Sequence, residues 1–391
     1  MIKKSVESIC ELVRGSSPRP SGDPRYYFGN IPRLMVKDVS RDGMYVTPKI
    51  DFLTKDGALK SRSMKKGDLV IAVSGDPGEP SILNVDACIH DGFVGLRKLN
   101  NDIVFTPYLY RYFKFNKKQS KSQAVGAIYK NLNTAQIKAL QIPLPPIDHQ
   151  KKIAAILDAA DAYKQKTKAL IEKYDELTQS LFLDVFGDPV TNPKGWEVKT
   201  LNNVCSKITD GTHHSPTPQE SGYPYVTAKH VKPFRLNFLS KPSYVSKDAH
   251  TEIYKRCTPE LGDVLYIKDG ATTGIACVNT FDEPISMLSS LALLKPGNEV
   301  NNQYLCYWLN HKGIKQKLIS EFMSGAAIKR FTLKKINSFK LMIPNIELQN
   351  QFAERVQAIE EQKAQAQASL AQAEDLFNSL LQRAFKGELT N

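Results

Sequence analysis

The residue strings that could carry catalysis in this chain each lack a part that the chemistry needs. Methylation of a base amine calls for an Asn/Asp-Pro-Pro-aromatic motif, and the nearest string, Asn192-Pro193-Lys194-Gly195-Trp196, has no second proline. A phosphate-binding loop ends in Lys followed by Ser or Thr. The segment Gly270-Ala271-Thr272-Thr273-Gly274 lacks that ending, so we interpret it as a turn. We predict no catalytic residue.

Metal-binding chemistry is also poorly supported. Asp68 and Asp263 each follow a glycine at a turn position, and neither has a second carboxylate beside it. His213-His214 could ligate a metal, but no third ligand is close in sequence. The six cysteines form no CxxC pair, which argues against a zinc site and against a disulfide framework. We predict no metal site.

The charge balance points to binding. The chain has a formal net charge of +13, spread along its 391 residues, and 41% of its residues are hydrophobic. A folded, broadly basic protein is a candidate for binding nucleic acid, although solvated surface lysines would give the same excess. Lysine and arginine would neutralise phosphates, and a few polar side chains would read base edges.

The candidate nucleic-acid contacts lie in loops at matching places in the two halves of the chain. For each candidate the alternative is a solvated loop residue. In the first half they are Arg14, Arg19, Lys117, Lys118, Lys121, Gln123, Lys130 and Asn131. In the second half they are Thr212, His213, Lys329 and Arg330.

An internal repeat must position these loops. The segment 145–188 matches 344–387 without a gap, at an offset of 199 residues. Upstream, with small gaps, Gly15 aligns with Gly211, and Gly67-Asp68-Leu69 aligns with Gly262-Asp263-Val264. Such an ordered set of matches indicates a duplicated unit followed each time by a long segment.

Both long segments are predicted to be helices. Neither 148–186 nor 347–385 contains Gly or Pro, so each helix would be roughly 55 Å long. Apolar residues recur at the alternating four-three spacing of a coiled-coil seam. The seam positions are Ile153, Leu157, Lys164, Ile171, Tyr174 and Leu181 in the first helix, and Phe352, Val356, Lys363, Leu370, Phe377 and Leu380 in the second.

A lysine occupies the same interior seam position in each helix. Lys164 and Lys363 are related by the repeat offset, and we expect them to fix the register of the pair. If the helices pair, the repeat favours an antiparallel arrangement that holds two similar globular units apart, with approximate two-fold symmetry. Two unrelated surface helices are the alternative.

The predicted organisation is an α+β fold of two mixed α/β globular domains and two long helices. Prolines end each globular unit, and Gly187 and Gly387 end the helices. The predicted segments are a first domain, a central helix, a second domain and a C-terminal helix, at residues 1–146, 147–187, 188–344 and 345–391.

Strings in the two long helices resemble those of a known family. The string 149–158, His-Gln-Lys-Lys-Ile-Ala-Ala-Ile-Leu-Asp, is similar to the central conserved region of Type I restriction-modification specificity subunits. So are 177–182 with the trailing Phe186-Gly187-Asp188, and 380–389 is similar to that family's C-terminus. Leu348 stands where the first repeat has His149, and this departure argues against a shared role for that side chain.

The resemblance implies a non-catalytic, DNA-binding subunit. Its two target recognition domains would each read one half of a bipartite double-stranded DNA target, and its helices would dock two methyltransferase subunits and a restriction subunit. The cofactors S-adenosylmethionine, ATP and Mg²⁺ would belong to those partners, and none to this chain.

Three other functions remain open from the sequence. The chain could be the specificity part of a Type II system with a fused nuclease-methyltransferase, a standalone two-domain DNA-binding regulator, or a coiled-coil scaffold whose globular units bind protein. The N-terminus has no apolar signal region, and no stretch reaches eighteen apolar residues. We therefore expect a cytoplasmic protein without membrane contact.

Overall fold

The computed structural model describes residues 2–122, 134–323 and 330–389. The chain divides into two compact units. Unit 1 comprises residues 1–168 and 368–391, and unit 2 comprises residues 169–367.

Unit 1 is built on two mixed sheets and a short strand pair. The strands are β1 (Ile2–Ser5), β2 (Glu11–Arg14), β3 (Tyr27–Leu34), β4 (Tyr45–Val46), β5 (Asp51–Leu53), β6 (Arg62–Met64), β7 (Leu69–Ala72), β8 (Pro80–Leu83), β9 (Ala87–Ile89), β10 (Phe93–Arg97) and β11 (Gln141–Leu144). The helices are a 3-10 turn (Val6–Ser8), α1 (Val36–Asp42), α2 (Lys55–Leu59), α3 (Thr106–Ser122), α4 (Thr134–Ala139) and the start of α5 (Ile147–Phe186). The strand orders are β2-β10-β7-β8-β4, β5-β3-β9-β6 and β1-β11.

Unit 2 repeats this plan. Its strands are β12 (Glu197–Thr200), β13 (Cys205–Asp210), β14 (Tyr223–Val226), β15 (Val231–Lys232), β16 (Arg235–Leu236), β17 (Tyr244–Val245), β18 (Val264–Ile267), β19 (Ala276–Val278), β20 (Ser286–Met287), β21 (Leu291–Pro296) and β22 (Lys340–Ile343). Its helices are α6 (Leu201–Val204), α7 (Lys247–Arg256), α8 (Asn302–Asn310), α9 (Lys312–Met323), α10 (Leu333–Asn337) and part of α11 (Ile346–Lys386). The strand orders are β13-β21-β18-β19, β17-β14-β20, β15-β16 and β12-β22.

The topology of the two units shows the internal repeat directly. The order β2-β10-β7-β8 recurs as β13-β21-β18-β19, and the pair β1-β11 recurs as β12-β22. A parallel pair recurs at the matching place, β3 with β9 and β14 with β20, and unit 1 has a second parallel pair, β4 with β8. The predicted α+β class with duplicated mixed domains is therefore confirmed.

The two long helices are continuous and end as the sequence predicts. Helix α5 has 40 residues and α11 has 41. Gly187 and Gly387 follow them with φ of 80° and 85°, a left-handed conformation that favours glycine and stops a helix.

Within each unit the two long helices run antiparallel. In unit 1, Lys168 pairs with Glu374 at 3.2 Å, while Lys164 Nζ lies 4.3 Å from the ring centroid of Phe377. In unit 2, Asp175 pairs with Lys363 at 2.6 Å, and farther along α5 the ring of Phe186 packs on Phe352. The heptad stripe faces inwards: Ile153, Leu157, Phe352 and Val356 are buried, and the other eight seam residues are partly buried.

Each globular domain is fixed to the start of its long helix by a buried glutamine. Gln150 accepts a hydrogen bond from the backbone N–H of Phe105 at 2.9 Å and donates to the carbonyls of Ile103 and Pro145, both at 2.8 Å. Its repeat partner Gln349 is likewise fully buried. Because buried backbone groups need partners, these side chains satisfy groups in the connecting segments just before α3, α8 and the two long helices.

The equivalent contacts of Gln349 follow the same pattern. Its amide accepts from the backbone N–H of Asn301 at 2.9 Å and donates to the carbonyls of Glu299 at 3.0 Å and Pro344 at 2.7 Å. The repeat thus preserves a side-chain-to-backbone network as well as a helix.

One boundary differs from the sequence prediction. Lys117, predicted as a loop residue, lies within α3, which continues to Ser122. No Gly or Pro lies between Tyr108 and Ser122 to end that helix.

None of the helices in the described part of the chain has the length and apolar character that a membrane span needs.

Candidate nucleic-acid interface

In unit 2 the predicted loop after β13 is held rigidly by the neighbouring strands. A side chain at Gly211 would place its Cβ 2.0 Å from the carbonyl oxygen of Met287, so only glycine fits. The backbone N–H of Thr212 donates to the same carbonyl at 2.9 Å, and the N–H of Ser289 donates to the Thr212 carbonyl at 2.8 Å. These contacts fix the backbone from which Thr212 and His213 project.

A buried carboxylate beside this loop binds two cationic side chains. Asp210 is 3% exposed, and its Oδ1 accepts a hydrogen bond from Arg256 Nη2 at 2.6 Å. Its Oδ2 lies 3.2 Å from the ammonium of Lys268, which is itself buried. Two cations on one carboxylate leave a net positive charge, and the half-exposed Arg256 carries it to the surface.

Arg330 joins the same edge of the domain. It forms a β-bridge with Asp269, the residue after Lys268, and its Nε lies 3.7 Å from the Asp269 carboxylate. The N–H of Phe331 donates to the Lys268 carbonyl at 2.8 Å. The structure therefore brings the predicted residues Thr212, His213 and Arg330 to one region, although 117 residues separate His213 from Arg330 in sequence.

Sequence reasoning missed Arg256, which is the last residue of α7. Its partner Asp210 is 46 residues away, and no repeat match or motif marks the position. The only local signal is a basic last turn, which helices commonly carry to offset their dipole.

In unit 1 the equivalent loop shows the same backbone constraint. A Cβ at Gly15 would lie 1.9 Å from the carbonyl oxygen of His90. The N–H of Ser16 donates to the Ile89 carbonyl at 3.1 Å, as Thr212 does to Met287. The alignment of Gly15 with Gly211 therefore has a physical basis in a close strand-to-strand approach.

The side chains on this loop differ from those of unit 2. Arg14 stands where unit 2 has Asp210, and both Arg14 and Arg19 are exposed. Neither arginine forms an ion pair with any residue in the described part of the chain. Arg14 presents its own cation to solvent, whereas Asp210 is buried and the exposed cation beside it belongs to Arg256. The two loops therefore present their cations from different positions, which suits different ligand surfaces.

Lys117 has a different environment from the one predicted. It is 5% exposed, and its ammonium is bound by Glu79 at 2.6 Å and by Asp76. Because helix α3 turns this side chain inwards, onto the loop between β7 and β8, Lys117 stabilises the domain and does not face solvent. The side chains of Lys118 and Lys121, and the residues Gln123, Lys130, Asn131 and Lys329, lie outside the described part of the chain.

The turn interpretation of the two aspartates agrees with their contacts. Asp68 accepts a hydrogen bond from the backbone N–H of Lys65 at 2.7 Å, and Asp263 accepts from Glu260 at 2.8 Å. Burial raises the pKa of both carboxyls. Across the described ranges, no group of three or more His, Cys, Asp or Glu side chains could hold a metal ion.

Duplicated α/β domains, each with a rigid polar loop and half of an antiparallel helix pair, define a two-domain recognition protein. The model of the Type I restriction modification DNA specificity domain matches residues 3–173 and 193–374. The chain belongs to this family, carries two copies of its domain, and is a specificity protein of the Type I restriction-modification class.

Individual relatives align along nearly the whole chain. The chain is 24% identical to the Type I restriction enzyme MjaIX specificity subunit of Methanocaldococcus jannaschii, over 99% of this chain and 93% of the relative. It is 22% identical to the EcoKI specificity subunit of Escherichia coli K12, over 98% and 88%.

Solved structures share the fold. The crystal structure of the Type I restriction-modification S subunit from M. genitalium superposes with a TM-score of 0.58 at 16% identity, covering 98% of this chain and 95% of that one. A structure from work on complex assembly and conformational transition of the type I R-M system gives a TM-score of 0.61 at 19% identity, covering 99% and 98%.

Proposed function

We propose that this chain is the DNA-specificity subunit of a Type I restriction-modification complex and that each globular domain reads one half of a bipartite duplex target. The observation that carries the proposal is the repeated loop at Gly15 and Gly211. In both domains this loop contains a glycine that no other residue can replace. An exposed cation lies beside each loop, Arg14 in the first domain and Arg256 in the second.

Binding follows from this arrangement. Exposed arginines contact phosphates or base edges, and each phosphate contact releases counterions, so affinity falls as salt rises. Sequence reading requires side chains held in fixed positions at base edges, which a rigid backbone provides. The exposed cation lies at the end of β2 in one domain, as Arg14, and at the end of α7 in the other, as Arg256, so the two domains would present different surfaces to their half-sites.

We assign no catalysis to this chain. In this proposal two methyltransferase subunits supply S-adenosylmethionine-dependent methylation, and a restriction subunit supplies ATP- and Mg²⁺-dependent chemistry. The helix pair is the surface on which the methyltransferase subunits dock. We place the chain in the cytoplasm, because its proposed DNA ligand and partner subunits would be there.

A domain exchange tests the central claim. Methylome sequencing of the source cell first gives the bipartite target. Residues 196–340 are then replaced by those of a relative with another target, and the methylome is read again. We expect one half-site to change and the other to stay, because each domain reads alone. A change in both halves would refute the modular assignment.

The length of the helices is the proposed spacing device. Deleting residues 167–173 together with 367–373 removes one heptad from each helix, about 10 Å of rise or roughly three base pairs. We expect the unread spacer to shorten while both half-sites are kept. An unchanged spacer in a folded variant would contradict this role.

Co-purification separates this function from its alternatives. Capture of a separate methyltransferase chain with the full-length protein excludes the standalone regulator. A captured methyltransferase that also carries a nuclease on the same chain identifies a Type II system instead.

A further inference from the structure

Arg256 is held in one orientation by two residues of the rigid loop in unit 2. Its Nη2 donates to Asp210 Oδ1 at 2.6 Å and lies 3.3 Å from His213 Nε2. Arginine normally loses much of its side-chain entropy when a ligand fixes it. Because folding has already fixed much of Arg256, contact with a ligand costs less.

The remaining N–H groups of the guanidinium are free for a ligand. Neither Nε nor Nη1 of Arg256 has a hydrogen-bond partner among the residues that the structure describes. The side chain is 52% exposed, so these groups face solvent. A purely structural arginine would be expected to use more of its donors internally, as Arg111 does with Asp158 and Asp161.

The carboxylate that holds Arg256 is itself fixed. Asp210 is the last residue of β13 and pairs with Ala292 of β21, and Lys268 binds its second oxygen. Lys268 alone would neutralise this carboxylate, so the second cation is not needed for burial. Asp210 therefore acts on Arg256 as a positioning residue.

A fixed guanidinium suits base reading better than phosphate binding. Phosphate contacts are made by any mobile cation, whereas a base edge demands a donor at a set position. Guanine presents two acceptors, O6 and N7, in the major groove, and arginine is the side chain that most often contacts them.

Building on the proposed function, we propose that Arg256 reads a guanine in the half-site of the second domain, with Asp210 and His213 as positioning residues. The half-site of that domain must then contain a G·C pair. A methylome target whose corresponding half lacks one overturns the proposal.

The test measures binding of the full-length chain, assembled with its modification subunits, to the cognate duplex and to a panel that changes each base pair of that half-site. For Arg256→Ala we expect roughly 10- to 100-fold weaker cognate binding and loss of discrimination at one G·C pair only. Arg256→Lys should lose the same discrimination while keeping its charge. Asp210→Asn should weaken discrimination at the same pair by a smaller factor.

Lys255→Ala is the matched control. Lys255 is the adjacent exposed cation, paired with Glu252 at 2.6 Å, and its loss removes the same charge. We expect it to leave discrimination at every position unchanged.

Other outcomes overturn the proposal. A uniform loss across the panel, with the salt dependence reduced by about one ion, would make Arg256 a phosphate contact. A lowered thermal midpoint with discrimination lost at every position would make it structural. If the parent chain shows no bipartite preference at all, the proposed function itself fails. If the parent discriminates and Arg256→Ala does so equally well, only this inference fails.

Discussion

Lys363 of the second long helix lies 2.6 Å from Asp175 of the first, at a seam position that heptad spacing would assign to an apolar residue. Burial opposes the charged form of Lys363, but Asp175 and Glu360 outweigh it, so the pKa of the lysine is raised. Asp175 therefore compensates the positive charge of Lys363, which folding places between the two helices.

Removing the two partners should have unequal effects. We expect Asp175→Ala to lower the free energy of unfolding by about 1 kcal/mol, because it leaves a half-buried ammonium with only Glu360. Lys363→Met should be nearly neutral, since an apolar side chain fits the seam. Hydrogen exchange of residues 169–186 and 346–367 measures both, with the exposed Glu172→Ala as control. If Lys363→Met were the more damaging change, the lysine would do more than balance charge.

The buried glutamines should be far less replaceable than their neighbours. Gln349→Leu keeps the volume but leaves one N–H and two carbonyls of the backbone without partners. At about 1 kcal/mol or more for each orphaned group, we expect a loss of roughly 3 kcal/mol. Urea unfolding measures it, and Gln351→Leu, at an exposed position on the same helix, is the control. Gln150→Leu should have the same effect on unit 1, and equal effects of Gln349→Leu and Gln351→Leu would refute the role.

Substitutions of Lys117 and Arg14 should have different effects, one on stability and the other on DNA binding. Arg14→Ala removes an exposed cation, so we expect weaker binding and a shallower salt dependence, by about one ion, with an unchanged thermal midpoint. Lys117→Met leaves Glu79 without its buried partner and should lower the thermal midpoint without altering the salt dependence. Fluorescence anisotropy at several salt concentrations, together with thermal unfolding, measures both. If Lys117→Met reduced the salt dependence of DNA binding without lowering the thermal midpoint, Lys117 would be a DNA contact after all.

Acid should weaken unit 2 more than unit 1. Burial lowers the pKa of His230, His250 and His311 in unit 2, and of His90 in unit 1. A histidine whose pKa is lowered by folding stabilises the native state fully above the unfolded value of about 6.5, and that contribution is lost as pH falls through the folded value. We therefore expect the protection factors for hydrogen exchange, corrected for the intrinsic pH dependence of exchange, to fall more in unit 2 than in unit 1 between pH 7 and pH 5.

His250 offers a direct test of that pH dependence. Its ring stacks on Tyr223 at 4.0 Å and is 7% exposed. His250→Phe keeps a ring but cannot titrate, so the slope of stability against pH should fall by at most about 1.4 kcal/mol per pH unit. Tyr223→Phe retains the imidazole and should keep the parent slope. An unchanged slope in His250→Phe would show that other groups cause the acid sensitivity.

Local chemistry and periodicity were enough to predict several features of the fold. Heptad spacing, together with Pro145 and Gly187 in the first repeat and Pro344 and Gly387 in the second, predicted both long helices to within a residue or two of their ends. The repeat also predicted the duplicated domains and the matching loops beside Gly15 and Gly211. These inferences hold because helix ends, turns and apolar stripes are set by residues close together in the chain.

Only the tertiary structure decided which side chains meet. Arg256 reaches Asp210 across 46 residues, and Lys117 turns from a predicted DNA contact into a buried partner of Glu79. Strand pairing and helix packing bring such groups together, and no local pattern encodes those distances. A charged residue's role depends on whether folding supplies its counterion or leaves it exposed, and that is a long-range property of the fold.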